Sequence, residues 1–197
     1  MKKVEIATLS LVTLAVTMNA AVAHTGFGPT SGLMAGFAHP LLGLDHVLAM
    51  TAVGALAAQA GGRTRGRALW ALPLAFMSAM ALGALAAIGG FGLSYVELGI
   101  AGSVLALGAL IAFEVRLPTA ILAAVIALFA IFHGHAHGSE LPAAAGAVDY
   151  ALGFLGATAL LHGVGLLLGL ALNHFGATAL RLAGGGTAAV GLVLLLN

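Results

Sequence analysis

Six apolar stretches, each long enough to cross a ~30 Å hydrocarbon layer as a helix, follow one another along this 197-residue chain. They run over 31–60, 67–90, 95–114, 118–137, 148–171 and 176–196. Within lipid every backbone N–H and C=O must find its partner inside the protein, so stretches of this kind fold as helices. The fold class expected is an all-α polytopic membrane protein, a six-transmembrane-helix bundle. The gaps are short and hold turn-forming residues: Gly61-Gly62, Gly89-Gly90, Leu117-Pro118, Gly138 to Pro142 and Asn173 to Gly176. They leave no room for a soluble domain.

A shorter apolar stretch, Ile6 to Val16, precedes the six. It follows Lys2 and Lys3 and leads into Ala21-Val22-Ala23, the layout of a secretory signal peptide with its small-x-small cleavage pattern. Residues 1–23 are therefore expected to be a cleavable signal peptide and 24–197 the membrane domain. Cleavage would place a free amine beside the His24 imidazole, a bidentate chelator; if residues 6–16 stayed as an extra helix, His24 would be an ordinary loop histidine. A signal that delivers the mature N-terminus outside puts the loops after the first, third and fifth helices in the cytoplasm. Arg63, Arg65, Arg67, Arg116 and Arg181 all fall there, as the positive-inside rule requires.

Only 7% of the residues are charged, and no lysine lies beyond position 3. A nucleic-acid backbone would find no basic face. There is no cysteine, which excludes disulfides, thiolate catalysis and sulfur-ligated clusters. A metal site must use imidazole, carboxylate, thioether or backbone oxygen. Glycine is abundant at 29 residues, and Gly165-x-x-x-Gly169 is a spacing that lets two helix backbones approach closely.

Ionisable groups cost several kcal/mol inside lipid, so those retained there are candidates for function. The first stretch carries His39-Pro40-Leu41-Leu42-Gly43-Leu44-Asp45-His46. At ~100° per residue His39 and His46 fall on nearly one face, about two turns and ~10 Å apart. In a continuous helix they read as successive stations for an ion; a break at Pro40 would instead fold His39 back toward Asp45. Asp45 either shares an ion with His46 or orients its ring from behind.

The fourth stretch ends Phe132-His133-Gly134-His135-Ala136-His137-Gly138-Ser139-Glu140. His133 and His137 stand four apart on one helical face, the spacing that lets two imidazoles share a metal, while His135 points elsewhere. Glu140 joins that face if the helix runs on, or waits at the outer mouth if it stops at Gly138. A pH-sensing cluster or a surface metal trap would use the same triplet. Both motifs lie in the outer half of the membrane, with Glu97 near the outer start of the third helix. Asp149 reads as a cap of the fifth helix. His162, deeper in that helix, reads either as a later station toward the cytoplasm or as a hydrogen-bond partner between helices. Nitrogen and oxygen donors without thiolate suit nickel, cobalt, zinc or copper(II).

His39-x5-Asp45-His46 combined with Phe132-His133-Gly134-x-Ala136-His137-Gly138-x-Glu140 resembles the HupE/UreJ family of nickel permeases. The likeness extends to the signal ending before His24-Thr25-Gly26, to Arg67-Ala68-Leu69-Trp70-Ala71-Leu72-Pro73 opening the second helix, and to the six helices, so it covers essentially the whole chain. The resemblance implies a permease domain over 24–197 that lies in a bacterial inner membrane with its mature N-terminus periplasmic. Its cargo would be nickel(II), or in some members cobalt(II), for hydrogenase or urease maturation. Its partners would be membrane lipid, the ion, and cytoplasmic nickel chaperones; no resident cofactor and no catalysis are implied. Carried over by position, His39, Asp45, His46, His133, His137 and Glu140 are the transport residues, while His135 occupies a variable position. Glu97 joins them by depth and His24 by its place at the expected terminus.

The chain has no Gly-x4-Gly-Lys-Ser/Thr phosphate loop, so transport would draw on the membrane potential rather than on nucleotide hydrolysis by that device. Two rival readings use the same residues. One is a membrane-embedded zinc hydrolase, with Asp45 or Glu140 as general base and Ser139 assisting. The other is a metal sensor that binds without conducting.

Overall fold

A computed structural model describes residues 32–61, 64, 66–141 and 146–197. The expected signal peptide and His24, Arg63 and Arg65 lie outside them. The described residues form seven helices: α1 (Gly32–Leu42), α2 (Leu44–Gly61), α3 (Arg67–Ile88), α4 (Val96–Ala112), α5 (Thr119–Ser139), α6 (Ala147–His174) and α7 (Ala177–Leu196). Helices α3, α5, α6 and α7 are long and apolar enough to cross a membrane, with mean hydropathy of 1.8 to 2.0. Helices α1 and α2 together pass the same test as one broken span, bent by 83°. Helix α4 has 17 residues, about 26 Å of rise, short of a full ~30 Å layer.

The first apolar stretch is therefore not the single continuous helix that its hydropathy suggests. The break falls at Gly43; Pro40 stays inside α1. A side chain at position 43 would meet both Asp45 Oδ1 and His46 Nδ1 at 2.7 Å, so only glycine lets the chain turn there while those two groups stay paired.

Small residues set the packing elsewhere. Helix α6 lies against both α1 and α2, α3 against α5, and α4 against α7. At each of these seams a glycine lies where a Cβ would strike the neighbouring backbone: Gly153 at the Leu33 carbonyl, Gly165 at the Thr51 carbonyl, Gly134 at the Met80 carbonyl, and Gly191 at the Leu105 backbone. Gly169, the second member of the 165–169 pair, likewise faces Ala55 and Ala58 of α2. The two glycines thus lean on one partner, as their spacing suggests.

The polarity of the molecule is inverted relative to a water-soluble domain. Leu82, Leu85, Leu128, Leu167 and Leu182 are well exposed, whereas His46, His133, His135, His137 and His162 are buried. Exposed leucine and buried imidazole fit lipid outside and a polar interior, so the chain is a multi-pass membrane protein. From α2 onward successive helices alternate in direction, which gathers Arg67, Arg116 and Arg181 at one end. There Gln59 Nε2 donates to the Ile111 carbonyl at 3.1 Å and Arg181 Nε to the Ala112 carbonyl at 2.9 Å, so side chains help to satisfy the last acceptors of α4. Glu97, Glu140 and the histidines of α5 lie toward the opposite end.

Candidate metal site

The bend at Gly43 brings Asp45 and His46 to the head of α2. Asp45 Oδ1 accepts the His46 backbone N–H at 2.8 Å and the His46 Nδ1–H at 2.7 Å. A carboxylate only accepts, so Nδ1 carries the proton and Nε2 is left with its lone pair. That Nε2 is buried and has no hydrogen-bond partner among the described residues. Of the two roles open to Asp45 from sequence, the geometry matches the orienting one: the carboxylate stands behind the ring and aims the other nitrogen inward.

His133 is held by a different device with the same outcome. The Ser103 hydroxyl donates to the Ile100 carbonyl at 2.6 Å, which uses its only proton. Its contact with His133 Nε2 at 2.8 Å must then run from Nε2–H to the serine oxygen. The lone pair falls on Nδ1, which is fully buried and has no hydrogen-bond partner among the described residues. Two histidines on different helices thus each have one nitrogen fixed by a partner and the other left as a donor toward a cation.

His137 joins the pieces. Its ring centroid lies 4.7 Å from that of His39 and 4.5 Å from that of His46, and His46 lies 5.0 Å from His133. Neither nitrogen of His137 has a hydrogen-bond partner among the described residues, although the ring is buried. Helix α5 runs on to Ser139, so Glu140 stands at its C-cap, on the same side as His137. Its Oε2 lies 3.5 Å from His39 Nε2. His39, His137 and Glu140 offer one ligand atom each within 4.8 Å of one another. Two donors on one ion with ~2.1 Å bonds stand at most about 4.2 Å apart, so these side chains need only small rotations to share a cation.

His39 and His46 are not separated by ~10 Å as a straight helix would have it. Their centroids are 6.2 Å apart, because the 83° bend replaces two turns of rise with a corner. The corner is made by Gly43 rather than by Pro40, and it turns two stations on one helix into two walls of one cluster. A small cavity of about 60 Å³ is lined by His39, Asp45, His46, Glu97 and Glu140, and exposed Glu97 gives it a third carboxylate. The larger cavity, about 350 Å³ between α3, α5 and α6, is walled by leucine, alanine and aromatic side chains, with His137 alone among the candidate ligands reaching it.

His135 stands outside the cluster. Its Nε2 lies 2.8 Å from the Phe91 carbonyl and 3.1 Å from the Leu93 amide nitrogen, tying α5 to the turn ahead of α4. The N-cap of α6, Gly146, has no side chain to make a capping hydrogen bond, and Asp149 lies in the first turn. Its charge still suits the positive end of the helix. Sequence reasoning did not find Ser103, Gly43 or Phe76. A lone serine within an apolar helix was a weak signal for the first; for Phe76, whose ring lies 5.6 Å from that of His133, there was none.

Residues 12–194 match the family described as HupE / UreJ protein. The chain is also 44% identical over 187 residues to Protein HupE of Rhizobium leguminosarum bv. viciae, covering 94% of this chain and 96% of that one. This chain belongs to the HupE/UreJ family. No solved structure matches it. The two motifs that carry the resemblance in sequence are the two segments that meet here in space, residues 39–46 at the bend and 133–140 at the end of α5.

If Asp45 and Ser103 act by aiming rings, removing either should weaken metal binding without deleting a ligand. Asp45→Ala and Ser103→Ala are each expected to lower equilibrium affinity for a divalent transition metal by about 10- to 100-fold, the usual cost of losing such a partner. Ser103→Thr, which keeps the hydroxyl, should bind within about threefold of the parent. Equilibrium dialysis of the purified proteins measures this; unchanged affinity in both alanine variants would remove the aiming role.

Proposed function

We propose that this protein is a permease that carries nickel(II) inward across a bacterial inner membrane, with the mature N-terminus periplasmic, for hydrogenase or urease maturation. Cobalt(II) is the second cargo by the same donor chemistry. The observation that carries the reading is the meeting of His39, His46, His133 and His137 from α1, α2 and α5 in one cluster, with Glu140 and Glu97 at its mouth. The metal choice rests on the family resemblance together with a donor set of imidazole and carboxylate free of thiolate.

In this reading Glu97 and Glu140 attract the hydrated ion from outside, with His24 adding a chelating terminus if the signal is removed. His39 and His137 replace the first waters, and His46 and His133 take the ion further in. An inside-negative potential of ~100 mV supplies about 2.3 kcal/mol per charge, hence ~4.6 kcal/mol for a divalent cation, enough to draw it inward without nucleotide hydrolysis. Binding along the way has to be weak enough to release the ion, which favours several sites with few ligands each over one closed cage. On the inner side, cytoplasmic nickel chaperones are the proposed recipients.

An enzymatic reading loses ground to the same geometry. Asp45 already accepts two hydrogen bonds from His46, which leaves it poorly placed to act as a general base. Ser139 Oγ donates to the Ala136 carbonyl at 2.7 Å, as a serine near a helix end commonly does.

The test is uptake of radioactive nickel into proteoliposomes holding the purified protein, with a chelator inside and cobalt or zinc outside as competitors. Saturable uptake, dependent on an inside-negative potential and competed by cobalt, is expected. Nickel that binds the protein yet never reaches the lumen would sink the permease reading in favour of a sensor.

A further inference from the structure

Of the two buried histidines outside the cluster, His135 is tied to Phe91 and Leu93, and His162 is not accounted for. His162 of α6 is 3% exposed, and neither of its ring nitrogens has a hydrogen-bond partner among the described residues. The alternative of an interhelical hydrogen bond, open from sequence, finds no partner for the ring among the described residues. Its ring packs edge-on against Phe76 of α3 with centroids 5.1 Å apart. Phe76 also touches His133, at 5.6 Å. The aromatic ring is fully buried and is the side chain that both imidazoles touch.

Depth gives the order. His133 lies six residues from the outer end of α5, about 9 Å of rise, and His162 fifteen residues from the outer start of α6, about 22 Å. The position of His162 is fixed by backbone contact, since Gly54 of α2 allows α2 to come directly against the His162 carbonyl. A phenylalanine or leucine would fill this place as well and would bury no unpaired donor and acceptor. A lone imidazole among apolar helices is instead suited to replace one water of a partly hydrated cation and to release it again.

We propose that His162 is a second, inner binding station for the divalent cation, reached from His133 when the Phe76 ring moves aside. This rests on the permease reading for its purpose, though its occupancy can be measured without transport. The station binds weakly, because a single nitrogen and residual waters hold the ion there.

Equilibrium dialysis of radioactive nickel against the detergent-purified full chain, over a wide concentration range, is the first half of the test. The wild type is expected to take up a tight equivalent and a weaker one. His162→Gln and His162→Leu should keep the tight equivalent within about threefold in affinity, which also shows that they fold, and lose the weaker one. In proteoliposomes the same variants should carry nickel at least about tenfold more slowly. A weaker equivalent that is absent from the wild type, or that persists in both variants, overturns the inner station whatever uptake does. Loss of that equivalent with no change in uptake rate also overturns it as a station on the path. Two equivalents in a wild type that carries no nickel at all would instead overturn the permease reading and leave the site standing.

Discussion

Nickel uptake by His46→Ala and by His133→Ala proteoliposomes is expected to fall by about 100-fold or more relative to the parent, with tight binding lost in step. Each substitution deletes one of the two nitrogens whose lone pair is fixed by a partner on the far side of the ring, Asp45 for one and Ser103 for the other. Losing only such a partner usually costs a metal site 10- to 100-fold, so losing the ligand itself should cost at least as much. His135→Ala is the internal comparison. It removes an equally buried imidazole of the same motif, but one that touches Phe91 and Leu93 instead of the cluster, and uptake should stay within about threefold of the parent. Wild-type rates in both His46→Ala and His133→Ala would show that the ion takes another route.

The second large effect is on the fold, and its sign should differ between two glycines of the same helix. A Cβ on Gly165 would collide with the Thr51 carbonyl of α2, whereas one on Gly163 meets nothing within 4 Å. Gly165→Ala must push α2 away from α6 and is expected to destabilise the bundle by about 1–3 kcal/mol or more, as overpacking of a tight seam does. Gly163→Ala removes backbone freedom from the unfolded chain at no steric cost and should stabilise by up to about 1 kcal/mol. Thermal unfolding in detergent, followed by helix content, reads both shifts. Because α2 also carries His46, Gly165→Ala should weaken nickel binding as well. An unchanged melting temperature in Gly165→Ala would mean that the seam is looser than its geometry.

Hydropathy placed the ends of most helices within a few residues, because the transition from apolar to turn-forming sequence coincides with where the chain leaves the bundle. It is there that Gly61, Gly89 and Gly176 fall, and α2, α3 and α7 end or begin at them. The placement of side chains within the α5 motif was legible too: positions 133 and 137 share a face by periodicity, and 135 does not. The corner at Gly43 was not. Proline is the usual sign of a break, and Pro40 drew the expectation to the wrong residue, whereas the need for glycine at 43 comes from the Asp45–His46 pair folding back over it. Ser103 and Phe76 escaped for a related reason. Their roles depend on which side chain of another helix they meet, and a single sequence records periodicity within a helix but not pairing between helices.

The cluster draws its members from distant parts of the chain: His39 and His46 from either side of the corner, His133 and His137 from a helix more than seventy residues later in the numbering. During synthesis the ribosome delivers these parts in turn. A chain whose insertion stalls after its first helices has at most two of the four imidazoles and no Glu140, too few to hold a cation firmly. On the permease reading, competence to capture metal would therefore arrive only when α5 has been threaded into the bilayer and has docked against α3, and unfinished copies would not sequester the proposed cargo.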